Sequence, residues 1–242
     1  MIDSDQFCKT QGFGYNRARA AERHTPMSSS AIGMGNQDQE ERRRFEAEVR
    51  RIVEASESGG VTLRLLGSLA FHAHCPQYGY LQAALGRAYT DLDFGGYVRQ
   101  AKVVGRILTE LGYQEDREVF VVTEGGRAIF EHPGNGLHVD VFYEKLDFCH
   151  IIPWQARLEL DSPTLPLAEL LLEKMQIVEI NEKDVIDTIM LLLEHPVGVG
   201  DAETINLDRI ATLCGGDWGL WRTTTMNLGK VRTLANGYPQ LS

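Results

Sequence analysis

The chain has 242 residues, the size of one ordinary domain or of one with a small appendage, and long enough to bury a real core. Its 24 Lys and Arg stand against 34 Asp and Glu, a formal net charge of −10. That balance argues against broad, sequence-blind binding to nucleic acid, where a basic surface neutralising phosphates supplies most of the affinity. Cys8, Cys75, Cys149 and Cys214 form no Cys-x-x-Cys pair and read as reduced thiols of a cytoplasmic protein. No apolar run approaches the roughly 20 residues of a membrane span, and the polar start lacks the basic-then-apolar layout of a signal peptide.

Residues 1–37 are rich in Gln, Ser, Gly, Asn and Arg without a helical or strand period, which predicts a disordered extension. Met27 and Met34 read as candidate starts of translation beside Met1. From Asp38 to about Glu57, the spacing of Phe45, Val49, Ile52 and Val53 among many charges predicts an amphipathic helix ended by Gly59 and Gly60. Val61 to Leu66 is a β-prone run that stops at Gly67-Ser68, and Leu69 to His74 then reads as a short helix. Tyr89-Thr-Asp-Leu-Asp-Phe94 predicts a second strand, followed by a helix over about Val98 to Leu111 that Gly112 caps. Three more strands are predicted near Tyr113 to Thr123, Arg127 to His132 and Leu137 to Tyr143.

Four helices follow, over about Pro166 to Ile180, Asn181 or Lys183 to Glu194, Leu207 to Cys214 and Trp218 to Leu234. The predicted fold class is α/β of the α+β kind, with a mixed sheet and flanking helices over 38–150 and a mainly helical C-terminal domain over 151–242. The first 60 residues hold 9 basic and 10 acidic side chains, so nearly all the excess negative charge belongs to the folded body.

Three small pieces carry the chemistry: Gly67-Ser68, Asp91-Leu-Asp93, and Asp140 within His138-Val-Asp-Val-Phe142. Alternate residues of a strand share a face, so Asp91 and Asp93 project together about 7 Å apart and can share a divalent cation. If the two strands are neighbours, Asp140 completes a site of three carboxylates without His or Cys. All-oxygen ligation of this kind suits Mg2+ or Mn2+ and fits zinc poorly. A Gly-Ser turn that opens a helix offers an anionic oxygen unhindered backbone N–H groups, a hydroxyl and the positive end of the helix dipole. Two metals bridging a triphosphate activate an attacking hydroxyl and neutralise the leaving pyrophosphate.

In this order and setting, residues 61–145 resemble the nucleotidyltransferase fold of the DNA polymerase beta superfamily. The resemblance implies a nucleotidyltransferase-type sheet and transfer of a nucleoside monophosphate from a nucleoside triphosphate, with release of pyrophosphate. It also implies that Gly67 and Ser68 contact the triphosphate, that Asp91 and Asp93 hold both metals, and that Asp140 holds the catalytic metal and helps activate the acceptor hydroxyl. Leu170-Leu-Leu-Glu-Lys174-Met-Gln-Ile followed by Asn181-Glu-Lys183-Asp184-Val-Ile-Asp187 is similar to the Lys-bearing and Asp-bearing helices of AbiEii-like toxin nucleotidyltransferases. That second resemblance implies a triphosphate contact for Lys174, a catalytic or structural role for Asp187, and an antitoxin protein as partner. The chain departs from the toxin family in opening its motif with Gly-Ser where the toxins usually have Gly-Gly.

Each residue also has a plainer reading. Asp91 and Asp93 can be a solvated strand end, Gly67-Ser68 an ordinary turn and cap, and Asp140 an outward residue of an edge strand. Lys174 can snorkel from an apolar helix or pair with Glu179, Asp184 can belong to a helix cap, and His72 and His74 read as packing residues. The expected function is a Mg2+-dependent nucleotidyltransferase using ATP or another nucleoside triphosphate. Its hydroxyl acceptor is a small molecule such as an aminoglycoside, a protein or a tRNA end. The rival readings are a non-catalytic nucleotide-binding regulatory module and a metal-dependent phosphohydrolase. Arg42 to Arg44 with Arg50 and Arg51 form the densest basic run, which reads as a solvated helix face.

Overall fold

The computed structural model describes residues 36–84 and 89–237. The predicted disordered extension, with Cys8, Met27 and Met34, therefore lies outside the described residues except for its last two positions, which open the first helix. The chain is mixed α/β. Helix α1 (Asn36–Ser58), strand β1 (Arg64–Leu66), helix α2 (Gly67–His74), helix α3 (Tyr80–Ala84), strand β2 (Asp91–Gly96) and helix α4 (Ala101–Glu110) come first. Then come β3 (Gln114–Asp116), α5 (Arg117–Val122), β4 (Arg127–Glu131), β5 (His138–Tyr143) and a small hairpin of β6 (Lys145–Asp147) with β7 (Ile151–Pro153). The rest is α6 (Leu167–Met175), α7 (Glu182–Glu194), the short β8 (Val197–Gly198) and β9 (Ile205–Asn206), α8 (Leu207–Gly216) and α9 (Trp218–Ala235).

Five strands form one sheet in the order β1-β2-β5-β4-β3. Strands β2 and β5 run parallel, and the other neighbours are antiparallel. Leu92, Phe94, Val139 and Val141 alternate onto one face and are completely buried, as the apolar half of a two-sided strand pattern should be. The amphipathic α1 packs on α4, tied by hydrogen bonds from Arg51 to the Leu111 carbonyl and from the Tyr113 hydroxyl to Glu48.

The other face carries Asp91, Asp93, His138 and Asp140, and the second half of the chain closes over it. Trp154 fills the space beside Gly95, with its indole Nε1 only 3.3 Å from where a Cβ would stand. That indole donates to the Phe142 carbonyl at 3.2 Å. All nine residues of α6 are buried, and α6 packs against α2, α7, α8 and α9.

Three sequence expectations change. The strand predicted near Tyr113 to Thr123 shrinks to β3, because Asp116 accepts a hydrogen bond from the Glu118 N–H and caps a helical turn. Val121 and Val122 are then 72% and 70% exposed, so this β-branched run has no buried sheet face to fill. The run from Val61 pairs as a strand only over its last three residues, with the Thr62 N–H taken by the Gln100 side chain. Cys75 and Cys214 are free thiols, whereas Cys149 is disulfide-bonded, which departs from the expectation of four reduced thiols. Among the described residues no helix is long and apolar enough to cross a membrane.

Candidate active site

Strand register brings the aspartates together. In the parallel pair, Asp93 lies opposite Asp140 and Asp91 opposite His138. On the other side Leu66 lies opposite Asp93, so the chain leaves β1 beside Asp93 and turns at Gly67. Gly67 has φ +73, and a Cβ there would meet Asp93 Oδ2 at 2.6 Å. Both the left-handed backbone and the close carboxylate demand glycine.

Asp93 is buried, and its Oδ1 has no hydrogen-bond partner among the described residues. Burial raises its pKa well above the carboxylate range, and the neighbouring charges of Asp140, Asp91 and Glu173 push it the same way. Asp140 is also buried, but Arg127 of β4 holds it as a fork: Nε lies 2.9 and 3.0 Å from the two carboxylate oxygens and Nη2 lies 2.5 Å from Oδ2. Burial still outweighs this cation and leaves the Asp140 carboxyl above its ordinary range. Arg127 faces Phe142 across the strand pair, and its guanidinium sits 5.3 Å from that ring. Asp91 stands half-buried at the rim and accepts a hydrogen bond from the Thr90 hydroxyl.

The helical half contributes from above. Glu173 of α6 accepts the Gly67 N–H on both carboxylate oxygens at 3.2 Å. Its burial pushes the pKa up to about 7, against the opposing pull of Lys174. Lys174 is buried over the Phe71 ring, and its Nζ lies 3.1 Å from Asp184, 3.4 Å from Glu173 and 3.5 Å from Asp187. The Glu179 partner considered from the sequence is replaced by acids of α7. Asp187 is fully buried and accepts from Gln82 Nε2 at 2.8 Å; the same amide reaches the Ser68 carbonyl at 3.1 Å, and the Tyr89 hydroxyl donates to Gln82 Oε1. Gln82 thereby ties the Gly-Ser turn to α7.

The expected residues thus share one region, where the carboxylates of Asp91, Asp93, Asp140, Glu173, Asp184 and Asp187 outnumber the cations Arg127 and Lys174. They do not converge on a point. Among the described residues, the group of His, Cys, Asp or Glu whose ligand atoms all lie within 4.8 Å of one another is His74, His195 and Glu203, away from the three aspartates. The Gly67 amide, expected to meet a phosphate, donates to Glu173. A groove of about 560 Å³ beside α4 and α5 is lined by none of the seven expected residues.

Sequence reasoning missed Glu173, Arg127 and Gln82. Glu173 adjoins Lys174 in a run of leucines, and a glutamate buried in such a helix needs a partner, which was the available signal. Arg127 opens a strand and gives no such sign until the register is known. Comparisons with protein-family models, with curated proteins and with solved structures find no match.

Proposed function

We propose that the chain is a Mg2+- or Mn2+-dependent nucleotidyltransferase that moves a nucleoside monophosphate from a nucleoside triphosphate such as ATP to an acceptor hydroxyl. The observation that carries this reading is the β2–β5 register. It sets two buried aspartates side by side, one with an unsatisfied oxygen, against a left-handed glycine turn that opens a helix.

The donors suit a hard divalent cation. Asp91 and Asp93 present carboxylate oxygens on one strand face, and an excess of buried acid is stable only when protonated or neutralised by a cation. When bound, such a cation supplies neutralisation of phosphate oxygens and a lower pKa for an attacking hydroxyl. In this reading Gly67 keeps the turn close to Asp93 and Glu173 holds that turn in place. Lys174 contributes positive charge beside the turn, and Asp140 accepts a proton from the hydroxyl once Arg127 releases it.

Calorimetric titration of nucleoside triphosphates with Mn2+ tests the binding step. The wild type should bind, and Asp91→Ala/Asp93→Ala should lose most of the affinity; equally weak binding by both would sink the assignment. Labelled triphosphate incubated with the protein and cell extract then tests transfer, with pyrophosphate released only when an acceptor is present and label found on that acceptor.

The Arg127–Asp140 pair favours a second reading, a regulatory nucleotide-binding module, because the guanidinium occupies the third carboxylate. That reading expects triphosphate binding without pyrophosphate release under any acceptor. Acceptor-dependent release by the wild type would overturn it, whereas release seen only in Arg127→Gln would support it.

A further inference from the structure

At the opposite end of α2 from Gly67, three elements meet. His74 ends α2, His195 caps the C-terminus of α7, and Glu203 lies in the segment leading to β9. One ligand atom from each falls within 4.8 Å of the other two. The rings of His74 and His195 meet edge to face at 5.5 Å. Asp161 flanks the same place, with Oδ2 3.5 Å from His74 Nε2, and the Thr164 hydroxyl contacts that nitrogen at 2.5 Å.

The hydrogen bonds of His195 fix its chemistry. Its Nε2 lies 3.0 Å from the His74 backbone carbonyl, and a carbonyl only accepts, so Nε2 carries the proton. In a neutral ring the remaining nitrogen, Nδ1, then exposes a lone pair. That nitrogen faces Glu203 Oε2 at 3.6 Å, too far for a hydrogen bond. A lone pair set against a carboxylate is repulsive unless a cation or a proton stands between them. Ligand atoms around a tetrahedral Zn2+ with bonds of about 2.0–2.1 Å lie about 3.3 Å apart; the His195–Glu203 pair at 3.6 Å is close to that, and the three atoms, all within 4.8 Å, would draw in around the ion. A carbonyl that holds the far nitrogen of a histidine is also the usual way a metal-binding ring is oriented.

We propose that His74, His195 and Glu203 form a site for Zn2+ or another first-row divalent ion with affinity for imidazole, with Asp161 beside it. Two imidazoles and a carboxylate set its preference apart from the all-carboxylate group around Asp93. The sequence reading gave His74 to packing; the fold brings it beside a histidine that lies far along the chain. Access is from the Glu203 side, where the side chain is 78% exposed while that of His195 is 6% exposed. Glu203 holds a left-handed backbone, φ +46, a conformation that non-glycine residues adopt mostly at special positions.

The bound ion would clasp α2 to α7 and to the segment that carries Glu203, and His74 is itself held to the strip around Thr164, which runs beside Leu65 of β1 through bonds of 2.8 and 2.9 Å. Because α2 starts at Gly67, the clasp anchors the helix that carries the turn. It does not depend on the chemistry proposed for that turn.

The test uses the full chain stripped of metal with a chelator. Co2+ titration followed by visible absorption should show one equivalent with the strong bands of a tetrahedral ion, displaced by one equivalent of Zn2+ and not by excess Mg2+. Glu203→Ala should weaken Zn2+ at least tenfold with an unchanged circular dichroism spectrum, since the side chain is exposed. Asp91→Ala/Asp93→Ala should leave Zn2+ affinity unchanged. Absence of saturable Co2+ and Zn2+ uptake overturns the proposal. Wild-type affinity in Glu203→Ala overturns it as well.

Discussion

Glu169 and Glu173 lie one helical turn apart on α6, both are buried, and their surroundings are opposite. Glu169 receives Arg157 at 2.8 and 3.0 Å and Arg209 at 2.8 Å, and Arg157 extends the network to Asp201. Its charge is answered by two guanidiniums in good geometry, so it pins α6 to α8 and to the segment before it. Glu173 has a single shared amide and a lysine, with further acids around both. Burial compensated by cations makes a structural joint, whereas burial among like charges leaves a group whose protonation can change near neutral pH.

The widest separation between the two acids should appear on truncation. Glu169→Ala removes the buried carboxylate that two half-buried guanidiniums share and should cost about 3 kcal/mol in urea unfolding, while triphosphate binding by the protein that remains folded stays intact. A loss below about 1 kcal/mol would erase the contrast. Glu173 should instead be read through pH. Its folded pKa of about 7 stands above the ordinary 4.5, so its contribution to stability is fully present below pH 4.5 and is lost as pH rises toward 7. The change amounts to about 3 kcal/mol at most. Glu173→Gln should flatten that part of the stability profile and be the more stable protein at pH 8; parallel profiles would contradict the assignment.

Gly67→Ala should cost about 1–2 kcal/mol, from the left-handed backbone together with the contact on Asp93, and should weaken triphosphate binding more than its stability loss explains. Asp93→Asn has the smallest effect on stability and the opposite sign. Removing a buried, crowded charge should raise stability by about 1 kcal/mol while abolishing binding of metal with triphosphate, the trade expected of a residue kept for activity. A variant that is both less stable and fully competent to bind would place Asp93 with Glu169 as a structural acid.

The parts of this contrast that were legible in the sequence are the local ones. Asp91 and Asp93 share a face because strands alternate, and Asp184 belongs to the capped first turn of α7, where Asn181 accepts its N–H, in line with the plainer reading of that residue. The residues that decide the electrostatics were not legible. Arg127 reaches Asp140 only because β4 and β5 pair in one register out of several, and Glu173 meets Gly67 only because α6 docks on α2. Val119, Val121 and Val122 misled for the converse reason: β-branched residues favour strands where a sheet offers a face to pack on, and α5 has none.

Because β2 and β5 run parallel, no tight turn can join them. The chain must lay down α4, β3, α5 and β4 between Asp93 and Asp140, and Glu173 follows only after a further hairpin. During synthesis the aspartates therefore leave the ribosome well before the acid that steadies Gly67. Contacts so distant in sequence close slowly and close late. A nascent chain halted before α6 carries every aspartate of the sheet and lacks the partner of the turn, so the acidic cluster takes shape only once α6 and α7 have followed the sheet.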